Sequence, residues 1–152
     1  MTLLEKFQDF AYGKGIKVFE IYHESKIKGC CMVDNTAAAV LINKTNIINT
    51  QEELCVLVEE IGHIENNAVL TCEYYLNPEF KKWAKRKCEI KATKWAVHTL
   101  LPYTALVSAI KKGFKELWEL ADHFNVTEEF IDRAFYIYQC EGRNLNEDLN
   151  EE

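Results

Sequence analysis

The segment from Thr50 to His63 predicts a helix that must be buried along one side. Its apolar residues recur at the spacing of one helix face: Leu54, Leu57, Val58 and Ile61. Thr50, with Glu53 three residues later, has the pattern of a capping box and marks the expected helix start. Gly62 lowers helix propensity by about 1 kcal/mol relative to alanine. A glycine at this point therefore indicates that another element packs closely against the helix.

Two polar residues lie at the edge of this apolar face. Glu59 and His63 are four residues apart, so both project from the same side of the helix. The run Glu59-Glu60-Ile61-Gly62-His63 is the HExxH pattern of zinc proteases with glutamate in place of the first histidine. In that pattern the outer residues bind the metal, and the residue after the first ligand takes a proton from the attacking water. The sequence therefore predicts Glu59 and His63 as metal ligands and Glu60 as the catalytic base.

A third ligand is expected from the next helix, since catalytic zinc sites usually have three protein ligands. Glu89 is our candidate, because the small residues Ala92 and Ala96 nearby would let two helices approach closely. Glu73 and Glu79 remain alternatives that the sequence does not exclude.

The remaining pattern predicts an α+β fold. A first helix covers Leu3 to Ala11, and three β-rich runs at Ile16–Ile21, Cys30–Val33 and Ala38–Ile42 indicate a small antiparallel sheet. Asn77 and Pro78 read as the N-cap and first residue of a long helix that ends near Leu101. Later helices are separated by Gly113 and by residues 125–127, and they end near Gly142.

Composition narrows the class of function. The net charge of −6 argues against a surface built to hold nucleic acid. No apolar run approaches the roughly 20 residues of a membrane span, and the first residues lack a secretory signal, so we expect a cytoplasmic protein. Six cysteines without a CxxC pair predict reduced, mostly buried thiols.

Three other interpretations compete with a metal site. A pair such as Glu59 and His63 can belong to an ordinary solvated helix face, although the apolar flanks argue that both side chains need partners. A di-iron bundle would need four long helices, whereas residues 16–42 look like sheet. Residues 116–138 resemble a helix-turn-helix, but the second helix begins with Glu128 and Glu129, which DNA phosphates would repel.

Several segments, in this order, resemble the ImmA/IrrE family of metallo-endopeptidases from phages and mobile elements of Gram-positive bacteria. They cover about residues 10 to 140 and comprise Leu41–Lys44, Leu57–His63, Glu89–Ala96, Leu100–Pro102 and Glu119–Val126. The resemblance implies that His63 is a zinc ligand, Glu60 the catalytic base and Glu89 the carboxylate ligand, with Glu59 in place of the first histidine.

The resemblance also implies an architecture. We expect a zincin-like helical core with the small sheet packed on it, followed by C-terminal helices. The metallopeptidase-like core would cover residues 1–102, the helical extension 103–143, and an acidic tail, expected to be disordered, 144–152.

The implied activity is metal-dependent cleavage of a protein substrate, which in the resembled family is often a helix-turn-helix repressor. The strand at Ala38–Ile42 is expected to align an extended peptide by edge pairing. Zn²⁺ is the expected ion, and two carboxylates with one imidazole also make Mn²⁺ or Fe²⁺ plausible. We expect no direct binding to nucleic acid or to a membrane. The alternative is an inactive metallopeptidase-like module that binds a repressor or another protein without cutting it.

Overall fold

The computed structural model describes residues 1–69 and 78–149. The α-helices and β-strands within these ranges are α1 (Leu3–Gly13), β1 (Ile16–Ile21), β2 (Gly29–Val33), β3 (Ala38–Asn43), α2 (Thr50–Glu65), α3 (Pro78–Leu100), α4 (Tyr103–Lys111), α5 (Leu117–Phe124), α6 (Glu128–Cys140) and α7 (Leu145–Asp148), and a short 3₁₀ helix covers Lys44–Asn46. The predicted α+β class is confirmed. The expected cap at Asn77 and the alternative ligand Glu73 lie outside the described residues.

The chain divides into two compact units, residues 1–95 and 96–152. The boundary falls inside α3, earlier than the boundary expected at residue 102. The three-part division expected from the sequence stays a prediction, and α7 falls within its last part.

The three strands form a mixed sheet in the order β1-β3-β2. The predicted antiparallel pairing is right for β2 and β3 but wrong for β1, which runs parallel to β3. The central position suits β3 because it is the most continuous apolar run of the three. The chain after β1 therefore crosses to the far edge of β3 before it forms β2. Since β1 and β2 occupy both edges of β3, the expectation that β3 pairs with a peptide is also wrong.

The side chain of Asn43 holds the connection between β1 and β2. Only 2% of Asn43 is exposed. Its amide nitrogen donates to the carbonyls of His23 and Ile27, both at 3.0 Å, and its oxygen accepts from the backbone N–H of His23 at 3.0 Å. One buried side chain thus pairs polar backbone groups that would otherwise need water.

The start of α2 differs from the prediction by one residue. The helix begins at Thr50, but Asn49 is the N-cap, and its side-chain oxygen accepts from the N–H of Glu52 at 2.9 Å. Asparagine is among the strongest N-cap residues. The carboxylate of Glu53 is instead engaged by Lys44, whose Nζ lies 2.6 Å away. The capping box predicted between Thr50 and Glu53 is therefore wrong.

The apolar face of α2 packs where the sequence predicts. Leu57 and Ile61 join residues of α1, β1 and β3 in one buried cluster, which comprises Ala11, Ile16, Val40, Ile42, Leu57 and Ile61. This packing fixes the rotation of α2 about its axis. It therefore also fixes the direction in which Glu60 and His63 project.

The second unit is helical. Asn125 adopts a left-handed conformation with φ of 56° and ends α5, which confirms the break predicted between the last two helices. The buried Tyr138 of α6 donates its hydroxyl to the carbonyl of Leu101 at 2.6 Å. Among the helices of the described ranges, none combines the length and apolar character that crossing a bilayer requires.

We predict that Asn43→Ala lowers the free energy of unfolding by about 2 kcal/mol or more. The substitution leaves partly buried carbonyl and N–H groups without their side-chain partner, and a fully buried group left unpaired costs roughly 1–3 kcal/mol. Urea denaturation followed by circular dichroism measures the change. Asn35→Ala, in the exposed turn between β2 and β3, is the control and should change stability by less than about 0.5 kcal/mol. Equal losses in the two variants would contradict the role assigned to Asn43.

Candidate metal and catalytic site

A cavity of about 260 Å³ in the first unit brings together three of the four predicted site residues. Glu60, His63 and Glu89 line it, together with residues of β2 and with Lys85 of α3. Glu60 and His63 come from α2 and Glu89 from α3. Glu59 is not among the lining residues.

The end of α2 fixes the ring of His63. Asn67 is left-handed, with φ of 49°. The N–H of Ala68 bonds to the carbonyl of His63 at 2.8 Å, and the N–H of Asn67 to that of Ile64 at 3.2 Å, which is the pattern of a Schellman motif. This turn brings the carbonyl of Ala68 within 2.9 Å of Nδ1 of His63. Because a carbonyl can only accept, Nδ1 carries the proton and donates it, and Nε2 faces the cavity.

Nε2 of His63 lies 3.5 Å from Oε2 of Glu89. The two helices approach closely enough for this because of Gly62. A Cβ atom at Gly62 would lie 2.8 Å from the carbonyl oxygen of Ala92 and 3.2 Å from the ring of Trp95. The close neighbour that the sequence predicts at Gly62 is therefore confirmed, and Ala92 supplies it. Of the two side chains, His63 is 12% exposed and Glu89 57%.

The side chain of Glu60, on α2, packs against β2. The thiol of Cys31 donates a hydrogen bond to its carboxylate, and burial together with the charge of Glu60 raises the pKa of Cys31 to about 12. Burial also raises the pKa of Glu60, although His63 and the Cys31 thiol act in the opposite direction. A carboxylate with a raised pKa is better matched to accepting a proton near neutral pH.

Gly29 of β2 makes room for Glu60. A Cβ atom there would lie 2.5 Å from a methyl of Val56 and 3.3 Å from Cγ of Glu60. Neither Gly29 nor Cys31 follows from the spacing of the metal pattern, because their contact with Glu60 depends on how the sheet packs on α2. The contact between His63 and Ala68 could be anticipated in part from the sequence, because the pair Asn66-Asn67 after the apolar pattern is typical of a helix C-terminus.

Comparison with known proteins identifies the family. The model of the IrrE N-terminal-like domain matches residues 14–136. The chain belongs to the ImmA/IrrE family. It therefore carries a metallopeptidase-like domain, as the resemblance implied. No curated protein and no solved structure gives a significant match.

The donor atoms that the family requires are partly assembled. Two ligands about 2.0–2.1 Å from a tetrahedral ion lie roughly 3.4 Å apart, so Nε2 of His63 and Oε2 of Glu89, 3.5 Å apart, fit one ion. The bond from Nδ1 of His63 to a backbone carbonyl is the outer contact typical of a metal-binding histidine. Within residues 1–69 and 78–149, no three His, Cys, Asp or Glu side chains already form a metal-binding group. Two of the three expected ligands fit, and the role of Glu59 stays a prediction.

The cysteines of the described ranges differ from expectation in their burial, and Cys72 lies outside those ranges. Cys55 is buried, Cys30, Cys31 and Cys88 are partly buried, and Cys140 is exposed. Three of them line the candidate cavity.

We predict that Gly62→Ala destabilises the protein by about 1–3 kcal/mol and weakens metal binding. The new methyl group would push α2 away from the backbone of α3, and overpacking of this kind has a cost in that range. Urea denaturation and competitive chelator titration measure the two effects. Gly13→Ala is the matched control because a Cβ atom there meets nothing within 4 Å. Equal behaviour of the two variants would contradict the close-packing argument.

We also predict that the metal-free protein loses stability as the pH rises from about 6.5 to 9. Burial alone would lower the pKa of His63, but its bonds to Glu89 and Ala68 and the charges of Glu60 and Glu89 raise it to about 9. A raised pKa stabilises the fold fully below the ordinary value of 6.5, and that contribution is lost as the pH passes about 9. Urea denaturation in chelator across this range measures the loss. The same pH dependence in His63→Gln would contradict the prediction.

Proposed function

We propose that this chain is a metal-dependent endopeptidase. The observation that carries the proposal is the convergence of the His63 imidazole and the Glu89 carboxylate, 3.5 Å apart, in a cavity also lined by Glu60. An imidazole and a carboxylate that face each other beside a second carboxylate form the donor and base arrangement that metal-assisted hydrolysis requires. Membership of a peptidase family supports the same activity.

In this proposal His63 and Glu89 hold the ion, and Glu59 completes the ligand set. When bound, the ion would supply Lewis-acid chemistry at the carbonyl of the scissile peptide bond. Glu60 accepts a proton from the attacking water and transfers it to the leaving amine. The Cys31 thiol keeps the Glu60 carboxylate directed toward the cavity.

We propose Zn²⁺ as the ion, with Mn²⁺ or Fe²⁺ as alternatives. Two carboxylates and one imidazole are harder donors than the usual protease set, which favours the harder ions more than usual. Nδ1 of His63 donates to the carbonyl of Ala68 at 2.9 Å. Nε2 is therefore available to bind any of these three ions.

The proposed substrate is a protein, specifically a helix-turn-helix repressor of a phage or mobile element, met in the cytoplasm. The family resemblance supports this substrate. We propose that the edge strand β2, rather than β3, aligns the extended substrate peptide. Gly29, Cys30 and Cys31 of β2 line the cavity, and β2 stands at one end of the strand order.

A second candidate is an inactive module that binds a repressor or another partner. The observation in its favour is that the described residues contain no preformed group of three metal-binding side chains. The glutamate at position 59 adds a negative charge where the usual pattern has a neutral imidazole. An additional anionic ligand weakens the ion as a Lewis acid and leaves water near it less acidic.

Metal content and cleavage together distinguish the two candidates. We expect about one divalent ion per purified chain by elemental analysis, and loss of that ion in His63→Ala. Glu60→Gln should keep the ion and reduce cleavage of a co-expressed repressor by roughly 10²-fold or more. Glu65→Gln is the control, because Glu65 lies on the same helix but pairs with Lys14 at 3.2 Å.

Equal metal content in wild type and His63→Ala would overturn the assigned site. A metal-loaded wild type that binds the repressor but never cleaves it would favour the inactive module.

A further inference from the structure

The first part of α3 is strongly basic in an otherwise acidic protein. Residues 78–95 contain seven Lys and Arg and two Glu, a net charge of +5. Because the whole chain has a net charge of −6, the remaining residues together carry −11. Seven of the 18 Lys and Arg residues of the chain therefore lie in this one segment.

Three of these cations share the flank of α3 that carries Glu89. Lys82, Lys85 and Arg86 precede Glu89 by seven, four and three residues, which places all four side chains on one side of the helix. Lys82, Lys85 and Arg86 are exposed, and Lys85 lines the candidate cavity. Within residues 1–69 and 78–149, no ion pair joins any of the three to a carboxylate. We call these three residues the basic flank.

We propose that the basic flank binds an acidic stretch of the protein substrate next to the scissile bond. This inference rests on the proposed function, because it places the scissile bond at Glu89 and His63. Lys85 and Lys82 lie about 6 and 10 Å before Glu89 along the helix axis. An extended peptide advances about 3.3 Å per residue. For a peptide that runs parallel to α3 over this stretch, the acidic side chains would lie about two and three residues from the cleaved bond.

A polypeptide suits the basic flank better than a nucleic acid. A nucleic acid that extends beyond residues 78–95 would be repelled by the net negative charge of the rest of the chain. The exposed aromatic rings of α3 that could stack on bases are engaged with neighbouring side chains of the same helix. Phe80 and Trp83 pack together with ring centroids 5.5 Å apart, and Lys87 covers Trp83 at 5.0 Å. Trp83 is rotated by about 120° around the helix from Glu89.

The test measures binding separately from cleavage, using full-length Glu60→Gln with and without Zn²⁺. The probes are two fluorescein-labelled 12-residue peptides of otherwise identical sequence. Next to an Ala-Leu pair, one peptide has three consecutive glutamates and the other has three consecutive glutamines. Fluorescence anisotropy should give about tenfold tighter binding of the glutamate peptide, consistent with three exposed charge pairs. The difference should shrink in 0.5 M salt.

Reversing the charge of the basic flank should remove this preference for the glutamate peptide. Lys82→Glu, Lys85→Glu and Arg86→Glu combined should bind both peptides equally, and the corresponding triple glutamine variant should do the same without adding negative charge. The control combines Lys6→Glu, Lys17→Glu and Lys26→Glu, which changes the net charge equally at exposed positions. It should retain most of the preference for glutamate.

The outcomes separate this inference from the proposed activity. A glutamate preference that depends on the basic flank supports binding of an acidic peptide there even if no metal or cleavage is found, but its position next to a scissile bond then falls with the proposed activity. Cleavage of repressor by the wild type, with no glutamate preference in Glu60→Gln, would overturn the inference and leave the activity standing. Tighter binding of a 20-nucleotide DNA than of the glutamate peptide, dependent on the same three residues, would also overturn it.

Discussion

The candidate site depends on one close approach of two helices. Gly62 lets α2 come so near α3 that an added Cβ atom would lie 2.8 Å from the carbonyl oxygen of Ala92. His63 follows Gly62 directly, and Glu89 lies three residues, just under one turn, before Ala92. The backbone contact therefore sets the separation of the imidazole and the carboxylate. A larger residue at position 62 would move both donor atoms apart without altering either side chain.

The two carboxylates that line the cavity favour a cation there, although Lys85 lines it as well. Glu60 and Glu89 surround a single imidazole, and their charges help to raise the pKa of His63 to about 9 although burial opposes this. Without metal, the proton on His63 partly balances the two carboxylates. A metal ion requires the neutral imidazole, so a proton and the proposed ion would compete for Nε2 of His63. The affinity for that ion would consequently depend on pH.

The sequence predicts the features of this protein that depend on local pattern. The apolar face of α2, the close neighbour of Gly62 and the break at Asn125 all follow from spacing or backbone preference, and the structure confirms them. The features it misses depend on contacts between distant segments. The parallel pairing of β1 with β3 depends on which strand occupies the centre of the sheet, and periodicity contains no such information. The N-cap at Asn49 is an exception, because its contact with Glu52 is local and the sequence could have predicted it. The capping box expected at Thr50 does not form because Lys44 engages Glu53.

Gly29 has no side chain and takes no part in the chemistry proposed here, yet it limits how this domain can diverge. The space it leaves is filled by Val56 and by the stem of Glu60. A bulkier residue in this strand would displace the carboxylate without touching any donor to the ion. A member of this family could thus retain every signature residue on its helices and still become inactive through a change in the sheet.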